Sequence, residues 1–242
     1  MRILKFSLLA VCALSILFIA TASQAAGGLT VAEITGKVLV KIQPSAEWAP
    51  AAKGQVLNGQ DAIKTEADGG ALLELPDKSS VTLKANSELA VEAILWEDAS
   101  KKVGLNLPDG ELRAILNKLG PDSEFTVKTP TAICGARGTI FYLLSRGLKT
   151  RVFVEDGLIE FINTKSGEKK DVGEGNYSDA NDDGTITEPG APSEGDKKEM
   201  TSGWDTGLVA EPYSEPAGDN AGGTEDDIQP AAVIQETHAS QI

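Results

Sequence analysis

Phe125-Thr126-Val127-Lys128-Thr129-Pro130-Thr131-Ala132, running on to Gly135, Arg137-Gly138-Thr139, Phe141 and Leu143, is the stretch whose reading decides the fold. Phe125 and Val127 share one side of an extended chain, because alternate residues of a strand face the same way. Thr129-Pro130 then fixes an extended entry into a turn, since proline sets its own φ and biases the residue before it toward the β region. Gly135 and Gly138 flank Arg137, so the backbone can bend closely around a long cation with five donors. Phe141 and Leu143 resume the alternation beyond the turn.

The same rhythm extends in both directions. Val38, Val40 and Ile42 alternate, as do Ala71, Leu73 and Leu75, then Val81 with Leu83, Leu89 with Val91, and Leu105 with Leu107. Downstream come Val152 with Val154 and Ile159 with Phe161. Turn-forming groups punctuate them: Asp68-Gly69-Gly70, Pro76-Asp77-Lys78, Pro108-Asp109-Gly110, Gly120-Pro121-Asp122 and Asp156-Gly157. Half-buried strands at near-regular spacing predict an all-β fold, a sandwich or a rolled β-solenoid of short antiparallel strands. Residues 111–119 compete, because Leu112, Ile115, Leu116 and Leu119 recur at helical spacing, and that segment stays undecided.

Taken in order, these runs resemble the FecR domain family, an extracytoplasmic module named after the ferric-citrate regulator. The resemblance spans about residues 36–175. It rests on Gly36 with Val38 and Val40, on Trp48 ahead of Gly54, Leu57, Asp61, Ile63 and Thr65, and on Leu75-Pro76-Asp77 with Ser79, Val81 and Leu83. Its strongest part is the quoted stretch from Phe125 through Thr129, Pro130, Arg137, Gly138 and Thr139, closed by Thr150, Val152, Val154 and Gly157. Gln60 and Lys78 stand where the family has glycine, at turns where a side chain tolerates positive φ poorly. The resemblance implies a non-enzymatic sensory, ligand-binding or scaffold module whose partner is an envelope protein or a cell-wall component. Full regulators of the family pair this domain with a membrane helix and a segment that controls a sigma factor. Neither is read in this sequence, so a stand-alone role is expected.

Two readings of Arg137 stand side by side. A buried Arg137 clamps turn carbonyls or a carboxylate such as Asp61, the favoured reading because apolar strands hem the motif; an exposed one reads an anionic ligand. Trp48 and Trp96 are core-edge caps or sugar platforms, and aromatics amount to only 5% of the chain, which weighs against a broad sugar surface. Cys134 has no thiol partner and no nearby histidine, the single histidine being His238, so it reads as a small buried residue. No catalytic spacing of Ser, Cys, His or paired carboxylates is found, and the chain is not read as an enzyme.

Charge divides the chain. Residues 178–242 carry 15 acidic against two basic residues, and residues 26–177 carry 21 against 18. The acidic stretch, rich in Gly, Pro, Ser and Asp, is expected to be a disordered tail, a spacer or a docking segment for cations. No basic patch suits nucleic acid. Asp179, Asn181, Asp183, Gly184, Thr185 and Ile186 match the front of an EF-hand-type loop, with Glu188 or Glu194 as the remaining oxygen; Gly190 stands where a bidentate glutamate is required, so the segment reads as an acidic, turn-rich linker first and as a weak Ca2+ loop second. Arg2 and Lys5 precede an apolar run from Phe6 to Ala20, which contains Cys12, and then Ser23-Gln24-Ala25. That order predicts a signal peptide at residues 1–25, a β domain at 26–177 and a tail at 178–242. Export leaves a periplasmic or secreted protein without a transmembrane anchor.

Overall fold

Each alternating pair buries its apolar side. Leu73, Val81, Leu89, Leu105, Phe125, Phe141, Val152 and Phe161 all sit in one core cluster. The computed structural model describes residues 27–97, 100–204 and 208. The leader read at 1–25, the stretch from 209 onward and His238 lie outside these residues.

The first half of the chain builds β1 (Leu29–Thr35), β2 (Val38–Lys41), β3 (Ala49–Pro50), β4 (Val56–Leu57), β5 (Ala62–Thr65), β6 (Gly70–Glu74), β7 (Ser80–Leu83) and β8 (Glu88–Trp96). A long strand, β9 (Lys101–Ile115), divides it from the second half. There follow β10 (Glu124–Lys128), β11 (Ala132–Ala136), β12 (Ile140–Arg146), β13 (Lys149–Asp156), β14 (Leu158–Asn163), β15 (Lys169–Gly173), β16 (Tyr177–Asn181) and a short helix, α1 (Glu194–Thr201).

Two layers result. Sheet A runs β4-β1-β6-β7-β9-β12-β13-β16, and sheet B runs β3-β2-β5-β8-β9-β10-β11-β14-β15. Both pass through β9: its first part pairs with β8 and β10, its last part with β7 and β12. The layers face each other across the core, where Phe125 of sheet B meets Phe141 of sheet A edge-on at 6.5 Å between ring centres. The fold is thus an open sandwich. It departs from all-antiparallel pairing at one place, since β10 runs parallel to β9.

Pro108-Asp109-Gly110, expected to be a turn, lies inside β9 and bends it from one sheet into the other. Gly110 has φ 120°, and a Cβ there would lie 2.4 Å from Ser87 Cα. The Ser87 hydroxyl accepts from Glu111 N at 3.0 Å, restoring a bond that the bend removes from the ladder. The undecided segment 111–119 resolves as strand to Ile115. Leu112 and Ala114 enter the core because strand period governs there.

The β domain also runs past residue 177, where the tail was expected to begin. Ser178 and Ala180 are core residues of β16, and the chain returns along β16 through bridges Ala180 to Ile186 and Tyr177 to Gly190.

Gln60 and Lys78 do adopt the left-handed region, at φ 78° and 70°. Gln60→Gly should stabilise the protein by about 0.5–1 kcal/mol, the left-handed strain minus the greater entropy of an unfolded glycine. Gly110→Ala should cost about 2–4 kcal/mol through overpacking on Ser87. Urea denaturation reads both.

Candidate functional site

Two surfaces carry the residues of interest, and each is set by how strands cross between sheets. The first is the corner where β11 leaves sheet B and β12 enters sheet A. Gly138 makes that turn at φ 86°, and a Cβ on it would lie 2.7 Å from Lys118 Cα. The next crossing, from β13 to β14, stacks on it through Gly157, whose Cβ would lie 3.0 Å from the Gly138 carbonyl oxygen. Thr139 is buried and ties the two crossings together: its hydroxyl donates to Leu158 O at 3.1 Å, and its carbonyl accepts from Leu116 N.

Arg137 is left on the outside of this rigid corner. It is exposed and has no hydrogen-bond or ion-pair partner among the described residues, so the buried clamp is not formed. The reason is the glycine: Gly138 lets the backbone itself pack against Lys118, leaving no room beneath for a side chain. Asp61 is indeed buried, but its carboxylate accepts from Gln43 N and Asn58 N, each at 2.8 Å, and holds two loops without a cation. Arg137 borders an open groove of about 630 Å³ with Glu124, Leu158, Glu160, Lys169 and Asp171. Lys169 is paired with Glu160, which raises the Lys169 pKa through their hydrogen bond, so Arg137 is the unpaired cation of the groove.

Thr129 and Pro130 build the turn between β10 and β11, at the end of those strands opposite the Arg137 corner. Thr129 and Thr131 each lie 2.7 Å from the Thr150 hydroxyl, all three buried, and the Thr129 hydroxyl accepts from Ala132 N. Pro130 is exposed, and its carbonyl accepts from Thr164. Residues 61–160 match a family model described as FecR protein. The chain carries a FecR domain. Its matched residues take in β5 through the first half of β14, including the whole Arg137 corner.

Two crystal structures of a candidate anti-sigma factor from Parabacteroides distasonis are similar to this FecR-domain chain at 16% identity, with TM-scores of 0.47 and 0.46. Each covers 58% of this chain, which in turn spans 65% and 64% of theirs. No curated protein matches.

The aromatic candidates are screened by cations. Lys41 and Lys64 ammonium groups lie 5.1 and 4.8 Å from the Trp48 ring centre, and Lys101 lies 4.8 Å from that of Trp96, so neither is an open sugar platform. Cys134 is fully buried in the core, and burial pushes its thiol well above the ordinary range.

The calcium reading is not supported by the geometry. Asp179 turns away to Arg151, at 2.7 and 3.0 Å, and to Lys149 at 2.6 Å. Asp183 accepts from the Thr185 amide and hydroxyl, Asn181 donates to the Thr185 hydroxyl, and Glu188 pairs with Lys170. The Thr185 carbonyl already accepts from Asn181 N. Each of these side chains is engaged in a contact of its own, so the loop spacing does not gather its oxygens at one centre. Among the described residues no three carboxylate, histidine or cysteine side chains converge for a metal.

The second surface was not read from the sequence. On the outer side of sheet A, Thr82, Arg113, Tyr142, Phe153 and Tyr177 lie in register on β7, β9, β12, β13 and β16. A strap consisting of α1, residues 202–204 and Leu208 lies over them. Met200 and Trp204 pack on Tyr142, Phe153 and Tyr177, while Leu208 reaches Gly70 on β6. Trp204 stands 5.6 Å from Tyr142, its indole N–H donates to Met200 O, and Lys84 lies 4.4 Å from its ring. Ser193 caps α1, accepting from Asp196 N, and Asp196 receives Arg151 at 3.0 Å. The hydroxyl of Ser193, then Arg151, hold the Asp196 carboxyl below the usual range.

Arg137→Ala should leave stability within about 0.5 kcal/mol, whereas Gly138→Ala should cost about 2 kcal/mol or more; thermal denaturation compares them. Because the folded pKa of Asp196 is depressed, its contribution is present at neutral pH and lost as the pH falls below about 4 through the folded value. Amide exchange across 194–201 should accelerate over that window, and Asp196→Asn should flatten the profile.

Proposed function

We propose that this protein is an exported, non-enzymatic module of the bacterial envelope that works in signalling or scaffolding by binding a protein partner at the Arg137 groove. The observation that carries the reading is Arg137 itself: an exposed guanidinium without a partner, mounted on a corner that two glycines and a buried threonine hold rigid, inside the FecR match. A side chain kept for stability would be buried or paired. A long cation on a fixed backbone is instead organised to meet a carboxylate, which its planar fork binds in two-point fashion.

The groove lies beside β15, the last strand of sheet B, whose outer backbone groups have no neighbouring strand among the described residues. An extended acidic segment of a partner can add to that edge while its carboxylate reaches Arg137. Lys169 and Asp171 alternate along β15 and discourage indiscriminate strand addition, as charged edges do. Export rests on the leader pattern at 1–25, and mass analysis of the periplasmic protein should find cleavage after Ala25.

Cross-linking in envelope extracts tests the binding reading. Wild-type protein should capture a reproducible partner that Arg137→Ala, folded to the same melting temperature, loses. Capture of the same partner by both proteins would sink the Arg137 site.

A further inference from the structure

We propose that the outer face of sheet A is a second docking groove, built for an acidic segment of a partner protein bearing a bulky apolar anchor, and that the chain's own strap occupies it in cis. The groove lies on the other sheet from the Arg137 corner and does not depend on that site. Its floor alternates two rows. One is aromatic, with Tyr142 and Phe153 at 5.9 Å and Tyr177 beside them. The other is ionic, in the register Glu111, Leu144, Arg151 and Asp179 across β9, β12, β13 and β16, with Lys84, Arg146 and Lys149 against its carboxylates.

The strap complements this floor in both respects. It places Met200 and Trp204 on the aromatic row and Asp196 on Arg151. Its fit is incomplete. Arg113 Nε is buried and has no acceptor among the described residues, while its guanidinium lies 5.3 Å from the Tyr142 ring centre and reaches Glu155 only at 3.4 Å. A small void of about 10 Å³ remains between Tyr142, Leu144, Met200 and Trp204. A buried N–H left without an acceptor is costly even where the rest of its guanidinium is paired. An occupant that places a carboxylate against Arg113 while filling the void therefore binds this floor better than the strap does.

The strap is also built to leave. It follows the Gly190 bridge to β16 through a short segment containing Pro192, and its aromatic cluster is separate from the main core. It lies outside the residues that match the family. Opening uncovers the groove without dismantling the sandwich, so the strap acts as a competitive lid whose closure lowers the apparent affinity for a partner by the fraction of molecules left open.

The test uses the full chain and a fluorescent synthetic peptide with the sequence of residues 190–209. Asp196→Ala removes the ionic latch and leaves the apolar anchors; Trp204→Ala removes the central anchor. Fluorescence anisotropy should show the peptide binding each variant about tenfold or more tightly than wild type, as expected where the lid competes. Adding Arg151→Ala should abolish the gain, and adding Arg137→Ala should leave it unchanged, which separates this groove from the first. A peptide carrying alanine at both positions 196 and 204 should not bind. Should Trp204→Ala fail to fold, Asp196→Ala alone decides. Equal affinity for wild type and variants, or no binding to any, overturns the proposal. Sedimentation of Asp196→Ala should show a monomer, and a dimer formed by strap exchange would overturn the partner reading in favour of a second copy.

Discussion

The structure depends on one strand serving two sheets. β9 enters as a member of sheet B and leaves as a member of sheet A, and Gly110 is the point where it changes. No side chain fits there, because Ser87 occupies the space a Cβ would need. Ser87 in turn donates its amide to Thr65, whose hydroxyl donates to Lys84 O at 2.5 Å. The bend is thus held by side-chain hydroxyls that take over for a broken ladder, buried and satisfied, the condition under which polar groups strengthen a core. Without this sharing, the halves before and after β9 would each be a small sandwich with two open edges in the middle of the molecule. With it, they bury a single core.

From that geometry the Arg137 corner follows. Strands after β9 come in pairs that alternate between the sheets, so the chain crosses at β11 to β12 and again at β13 to β14. Both crossings occur at the same end, and only glycines allow them to touch. Residues that must keep the backbones in contact are small or buried, and the one long side chain between them is pushed outward. The motif is therefore structural in Gly138, Thr139 and Thr129, and the binding role proposed for it falls to the residue that contributes least to packing.

Much of this was legible because strand burial writes a period of two into the sequence, and the alternating residues from Val38 to Phe161 are buried as read except Ile42, which is half-buried. The failures share a cause. Pro108-Asp109-Gly110 has turn composition, but a bend within a strand needs the same residues as a turn that ends one. Arg137 was assigned to the interior from its apolar neighbours, although the direction of a side chain at a crossing depends on which backbone packs against it. The oxygens at Asp179, Asn181 and Asp183 have loop spacing by coincidence with a strand and its hairpin. The strap was hidden by composition: Met200, Trp204 and Leu208 are three anchors at intervals of four in an acidic stretch, too sparse to stand out and effective only because sheet A offers them a ready surface.

The strap's energetics differ in kind from those of the sandwich. The main core buries residues of both sheets from Leu29 to Ile186, whereas the strap's cluster is Tyr142, Phe153, Met200 and Trp204 with Tyr177 alongside. A sheet's thickness separates the two clusters, since Tyr142 and Phe153 point outward from strands whose neighbours Phe141, Leu143, Val152 and Val154 point inward. Loss of the strap's contacts therefore removes nothing from the inner layer, and local opening can precede global unfolding by a wide margin. The strap's acidic latch and aromatic anchor are set against a floor that retains an unmet donor at Arg113. A segment bound this way is held firmly enough to cover the face and loosely enough to be displaced by a better complement. That balance distinguishes a lid from a structural element.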